Sequence, residues 1–207
     1  MAKKASKEKV IKAAVELFNV QGFSGTSVRD IAQKAECNVA LISYYFRNKQ
    51  GLLEQLITDF LEGYTAVIEV QVDKALREED KAYDCLLQAI WNVLVYQQKR
   101  PHLARFVHRE ITLDTTLVRE LMSTYLAKEK HLFSTLLKKG YSNEEVYDLP
   151  DEFFVIQLKG MLNMPFLHPQ YIREVYHLMP HDSNFLDKYF SQLAHWIGVH
   201  FKEKTVS

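Results

Sequence analysis

The chain has 207 residues and no net formal charge, and 47% of it is apolar and 25% charged, values ordinary for a globular chain with a sizeable core. That balance excludes a disordered or collagen-like chain, and no apolar run approaches the roughly 20 residues that cross a bilayer. Cys37 and Cys85 lie far apart, without metal-site spacing or a disulfide framework, which suits a reducing cytosol. The N-terminus, MAKKASKEKV, is charged and then amphipathic, and reads as neither a secretory signal nor an anchor.

Helical periodicity accounts for almost every segment, and strand-like alternation is nearly absent. The first helix is predicted from about Lys7 to Val20, with Ile11, Ala14, Val15 and Phe18 on one stripe and Gly22 closing it. Thr26 or Ser27 caps the second, whose inward stripe is Val28, Ile31, Ala32 and Ala35. Asn38 caps a third, and Asn48 a fourth that runs to about Val70. The charged run 73–82 reads as a break or linker. A fifth helix spans about Tyr83–Lys99, and Pro101 opens a sixth. A long seventh covers about Thr115–Lys139, with Gly140 as its stop. The eighth begins near Asp151 and is interrupted at Pro165 and Pro169, with a short helix through Tyr176. The last helix follows Ser183, over Asn184–Lys202. The expected fold is all-α.

The neutral total conceals an asymmetry. Residues 1–50 hold nine Lys/Arg and four Asp/Glu, a balance of +5, so the remainder carries −5. A basic end on an acidic body points to an anionic partner, or to an ordinary solvated face. The short second and third helices are separated only by Glu36-Cys37-Asn38, which is helix-turn-helix spacing. With Ile42 and Phe46 turned inward, Val39, Ala40, Leu41, Ser43, Tyr44 and Tyr45 are left exposed or partly so. A major groove accommodates such a face, because small and apolar groups meet thymine methyls there. Thr26 and Ser27 at one helix start and Lys49 at another bracket the third helix with phosphate-seeking groups.

The run from Gly22 to Leu53 closely resembles the DNA-binding domain of the TetR family. The carriers are Thr26-Ser27-Val28-Arg29-Asp30-Ile31-Ala32 and Tyr44-Tyr45-Phe46-Arg47-Asn48-Lys49. The resemblance implies phosphate contacts from Thr26, Ser27, Tyr45 and Lys49, and base-edge contacts from Val39, Ala40, Leu41, Ser43 and Tyr44. It divides the chain into a helix-turn-helix domain, 1–50, with the fourth helix as connector, and an all-α regulatory and dimerisation domain, 51–207. Four positions depart from the family pattern. Glu36 replaces a common turn glycine, so that residue takes another turn conformation or a mildly strained one. Val39 and Ser43 replace a common lysine and tyrosine, so no relative's DNA preference transfers. Gly51, where a capping glutamate is common, weakens the start of the fourth helix.

For the body, the resemblance implies a four-helix bundle formed with a second copy by the eighth and last helices. Phe185, Tyr189, Leu193, Trp196 and Ile197 make a stripe on the last helix that fits either this interface or a deeply buried terminal helix. Trp91, Tyr96, Phe106, Tyr125, Phe133 and Phe154 are candidates for a ligand pocket or for plain core. Nothing selects a ligand. His177 and His181 are separated by Pro180, and no metal set forms around the histidines. No nucleophile elbow, phosphate loop or carboxylate pair suggests an enzyme, and no cofactor is expected. Residues 105–130 and 164–181 resemble the matching parts of RefZ-type members of the family, which bind DNA and restrain the tubulin-like division protein FtsZ. On that reading Arg105, Arg109, Glu110, Asp114, Arg119 and Glu120 offer a partner surface, against the alternative of a solvated charged face. The expected protein is a cytoplasmic, nucleoid-associated homodimer on palindromic double-stranded DNA, without membrane contact. It acts either on FtsZ or as a repressor released by a small molecule.

Overall fold

The computed structural model describes residues 2–145, 152–199 and 201, and its elements are helical. Helix α1 (Ala2–Gly25) starts earlier than its apolar stripe and buries Val10, Ala13, Ala14 and Phe18. It breaks at Gly22, which takes φ 76, ψ 166, a backbone region open to glycine and closed to most other residues. Helices α2 (Val28–Lys34) and α3 (Val39–Phe46) follow.

Helix α4 (Lys49–Leu76) runs through the start of the expected linker. Its stripe of Leu52, Leu56, Phe60, Tyr64 and Ile68 continues through Val72 and Ala75, so the first charges of 73–82 lie on its outer side. The break narrows to a turn that includes Glu78, at φ 59. Helix α5 (Ala82–Gln98) packs along α4, and Pro101 opens α6 (Pro101–Glu110) as predicted.

The predicted seventh helix is a continuous helical run with a wide turn inside it. Helix α7 (Thr116–Leu121) passes through a π-helical turn, Met122–Leu126, into α8 (Ala127–Ser142). Gly140 is buried within α8 and does not end it; the chain turns off at Glu144, φ 59. The expected helix start at Asp151 lies outside the described residues. Helix α9 (Glu152–Leu167) is not interrupted by Pro165. A proline leaves the carbonyl four residues earlier without its helical donor. Here that carbonyl, on Met161, accepts the Tyr189 hydroxyl at 2.7 Å. Helix α10 (Pro169–Tyr176) and α11 (Ser183–Gly198) complete the described fold; the last helix ends at Gly198, with Val199 as its C-cap, short of the expected Lys202, which itself lies outside the described residues.

The α11 stripe is largely spent within the subunit. Leu193 and Ile197 are buried, Trp196 stacks on Phe154 at 4.8 Å, and Phe185 stacks on Tyr189 at 5.5 Å. Leu193 and Ile197 are therefore monomer core, a correction to their expected interface role, and Tyr189 serves the Met161 carbonyl that Pro165 leaves open. Outward apolar groups sit instead on α9, where Phe153 is 70% and Ile156 64% exposed.

The two ends of the chain share one core. Phe18 of α1 stacks on Phe106 of α6 at 5.2 Å. Arg109 of α6 donates to the Phe18 carbonyl at 2.6 Å, near the end of the straight part of α1. Asn19 answers with a donation to the His102 carbonyl at 2.8 Å. The boundary expected after residue 50 falls in the first turn of α4.

Candidate nucleic-acid interface

The helix-turn-helix is held by reciprocal caps. The Ser27 hydroxyl accepts from the Asp30 N–H at 3.1 Å, and the Asp30 carboxylate accepts from the Ser27 N–H at 2.7 Å. Hydrogen bonding from the Ser27 hydroxyl, then from the Ser27 N–H, holds the Asp30 carboxyl below the usual carboxylate range. Ile31, Ala32 and Ala35 are buried, and the Cys37 N–H returns to the Ala32 carbonyl at 2.9 Å. Glu36 turns the corner at φ 53, the left-handed conformation its side chain disfavours. Glu36→Gly is expected to raise stability by about 1 kcal/mol, read as a higher urea midpoint with unchanged slope. An unchanged or lower midpoint would mean the turn stores no strain.

Asn38 caps α3 by accepting from the Ala40 N–H at 2.8 Å. Ile42 and Phe46 are the buried residues of α3. Val39 is 38% and Tyr44 70% exposed; Ala40 and Ser43 are exposed, and Leu41 and Tyr45 half-buried. The division of α3 between an inner pair and an outer face thus follows the sequence reading. Tyr44 and Tyr45 meet edge to face at 5.2 Å.

Two of the phosphate assignments change. Thr26 is 1% exposed, and its hydroxyl donates to the Gly22 carbonyl at 2.8 Å. It secures the α1–α2 turn and is not presented to a ligand. Lys49 is half-buried, and its ammonium donates to the Phe23 and Thr26 carbonyls at 2.8 Å each, over the Phe23 ring at 4.3 Å. One of its three N–H donors remains. Lys49→Ala is therefore expected to lower stability by about 1–2 kcal/mol as well as to weaken binding to every DNA sequence. Thermal unfolding beside a salt titration of DNA affinity checks this; unchanged stability would contradict the anchoring role. The capping reading of Gly51 also changes. A Cβ there would stand 2.2 Å from the Phe46 carbonyl oxygen, so glycine is required by close approach. Asn48 meanwhile caps the helix through the Gly51 N–H at 2.8 Å.

Residues 10–56, which span this unit, match the family model described as bacterial regulatory proteins, tetR family. Over 205 residues the chain is 45% identical to the probable HTH-type transcriptional regulator YttP of Bacillus subtilis (strain 168), covering 99% of this chain and 98% of that one. The chain belongs to the TetR family. It is a DNA-binding transcriptional regulator by that membership. It is also 28% identical over 87 residues to the biofilm operon icaADBC negative regulator IcaR of Staphylococcus aureus (strain Newman), covering 42% of this chain and 47% of that one. Among solved structures, a tetR-family regulator from Rhodococcus RHA1 superposes with a TM-score of 0.75 at 14% identity, over 97% of this chain and 99% of that one. FadR from Bacillus subtilis, solved with stearoyl-CoA, gives 0.66 at 20% identity, over 91% and 97%. These two likenesses establish the all-α TetR fold, with its N-terminal helix-turn-helix domain and C-terminal helical domain.

In the body, the six pocket candidates do not converge. Phe106 packs on Phe18, Phe154 on Trp196 and Trp91 on Phe190, while Tyr96 donates to the Phe60 carbonyl at 3.0 Å and Tyr125 to Glu62 at 3.0 Å. Phe133 borders a cavity. That cavity, about 170 Å³, opens between α8 and α9, and Leu126, Glu129, Lys130, Glu152, Val155, Ile156 and Lys159 also line it. At its floor the buried Glu129 carboxylate accepts from the Tyr64 hydroxyl at 2.8 Å and pairs with Lys159. Burial, then the Glu129 charge, raises the Tyr64 hydroxyl well above its ordinary range. Nearby, His108 Nε2 lies 2.5 Å from Gln97 Oε1, and Gln97 donates to the Leu162 carbonyl at 3.0 Å. Burial, then the Lys159 charge, depresses His108 to about 3, so this imidazole is neutral near pH 7. Sequence periodicity missed this network because polar groups inside a helical stripe look like interruptions of it.

The charged cluster also divides. Arg109 is turned onto α1 and Glu110 is buried, so neither belongs to a surface offered to a partner. Arg105 donates to Gln170 at 3.2 Å. Asp114, Arg119 and Glu120 stay exposed, the first two paired at 2.8 Å. Among the described residues no helix is long and apolar enough to cross a membrane, and no cluster of three or more His, Cys, Asp or Glu could hold a metal.

Proposed function

We propose that the protein acts in the cytoplasm as a homodimer, each subunit laying α3 in the major groove of one half of a palindromic site. The observation that carries this is the outer face of α3: an exposed Val39, Ala40, Ser43 and Tyr44 on a helix whose Ile42 and Phe46 are locked inward. Val39 and Ala40 near the helix start suit thymine methyls, Leu41 and Ser43 extend that face, and Tyr44 reaches base edges. Ser27, Tyr45 and the remaining Lys49 donor suit flanking phosphates. Dimerisation is assigned to α9 and α11, where Phe153, Ile156 and Gly160 share one outward face at i, i+3 and i+7. Sequencing the chromosomal fragments that the purified protein retains tests the DNA reading, which predicts a symmetric enriched sequence. Retention without sequence preference contradicts it.

Two outputs of DNA binding are separable. Release by a small molecule is favoured by the α8–α9 cavity, whose apolar walls suit a compact apolar body. The other output is restraint of FtsZ, supported by the RefZ-type resemblance of residues 105–130 and 164–181, with Asp114, Arg119 and Glu120 available outside. Adding the protein to polymerising FtsZ discriminates between them. Suppressed polymer supports division control at DNA-bound positions near the nucleoid. Unaffected polymer, with DNA released by a metabolite extract, supports the ligand-controlled repressor.

A further inference from the structure

The turn between α3 and α4 holds a strained residue. Arg47 takes φ 65, ψ −56, and the Asn48 N–H donates to the Phe46 carbonyl at 2.7 Å. This is a three-residue γ-turn of the positive-φ kind, rare and strained for any side chain. It differs from His177, whose φ 54, ψ 32 lies in the ordinary left-handed well. The surroundings enforce it. The Arg47 N–H is committed to the Ser43 carbonyl at 2.9 Å, and the Phe46 carbonyl is pressed into the first turn of α4, where Gly51 alone makes room. Asn48 is fixed as the cap of α4.

A glycine would adopt this backbone without penalty. The chain instead carries an arginine that is exposed and whose guanidinium has no hydrogen-bond or ion-pair partner among the described residues. The guanidinium leaves the chain directly after the recognition helix, two residues before Lys49, on an end of the molecule with excess positive charge. Its planar fork suits a phosphate, to which it binds through two parallel donors. Resting on the proposal that α3 enters the major groove, we propose that Arg47 is a further DNA-backbone contact. The strained turn presents its guanidinium to a phosphate beside that groove. The competing role is a local one, in which the positive charge merely complements the C-terminal carbonyls of α3.

Arg47→Gly separates the two roles. If Arg47 serves DNA, the variant gains about 2–4 °C in Tm as the strain is relieved. It loses affinity for cognate and unrelated duplexes alike, and the slope of log K against log salt falls by about two per dimer, one phosphate per subunit. Arg47→Lys keeps most of that slope. The inference is overturned if Arg47→Gly binds DNA with unchanged affinity and slope. A lower Tm accompanying weaker binding also overturns it, because the charge would then serve the helix end. In either case the wild-type protein still binds DNA and the reading of α3 stands. A wild-type protein that binds no duplex removes both.

Discussion

Phe106→Ala is expected to destabilise the whole chain by about 3–5 kcal/mol, the range for deleting a large aromatic side chain from a tight core. Phe106 is completely buried and stacks on Phe18, which in turn packs edge to face on Phe23 at 5.4 Å. That column joins α6 to α1 and to the turn leading into α2. The Arg109 and Asn19 hydrogen bonds flank it, so the loss falls on the joint between the two parts of the chain. Unfolding is expected to remain one transition, with Tm lower by on the order of 10 °C at fixed chain concentration. Urea melts followed by far-ultraviolet circular dichroism read this directly. Two separate transitions, with only the first fifty residues affected, would mean that the joint is not part of a common core.

Tyr44→Ala is expected to have the opposite signature, a large loss at DNA with an unchanged fold. The side chain is 70% exposed, so its removal leaves no buried cavity. A base-edge contact is worth about 1–3 kcal/mol, and a symmetric dimer loses it twice, so cognate affinity falls by roughly thirtyfold or more. Unrelated DNA, held by phosphate contacts, is bound about as before. Equal weakening on both duplexes would place Tyr44 on the backbone instead of the bases. Ile42→Ala is the natural control, since Ile42 is buried against the domain and its truncation lowers Tm first.

The part of the site that was legible in the sequence is the part that side-chain periodicity encodes. Ile42 and Phe46, four apart, mark the inner line of α3, while Ser43 and Tyr44 between them are exposed and Tyr45 is half-buried. Asn38 and Asn48 announced their helices because a short amide has few better uses at those positions. What escaped is where polar groups satisfy main-chain carbonyls, which leave no trace in a residue pattern. Thr26, Lys49 and Arg109 all looked like surface groups, and all are committed to carbonyl oxygens. Pro165 failed as a breaker for the same reason, since its remedy comes from Tyr189 on another helix. The α11 stripe fitted either an interface or a buried helix because sequence gives its width without the neighbours, α5 and Phe154 of α9, that cover it. The Glu129–Lys159 pair required two helices to be brought together before it could be seen.

Helix α6 carries His108 into the polar network and Arg109 onto α1, so one helix touches both the interior of the body and the support of the DNA-binding unit. A molecule that drew Lys159 away from Glu129 would disturb the floor of the cavity within reach of that helix.

The most direct test of the central claim is selection from random duplexes, with the mass of the complex measured on the winning sequence. The account predicts a palindrome with half-site centres about 10 base pairs apart, or a multiple of that, bound by two chains. A winning sequence without symmetry bound by a single chain, or no enrichment over unrelated DNA, contradicts it.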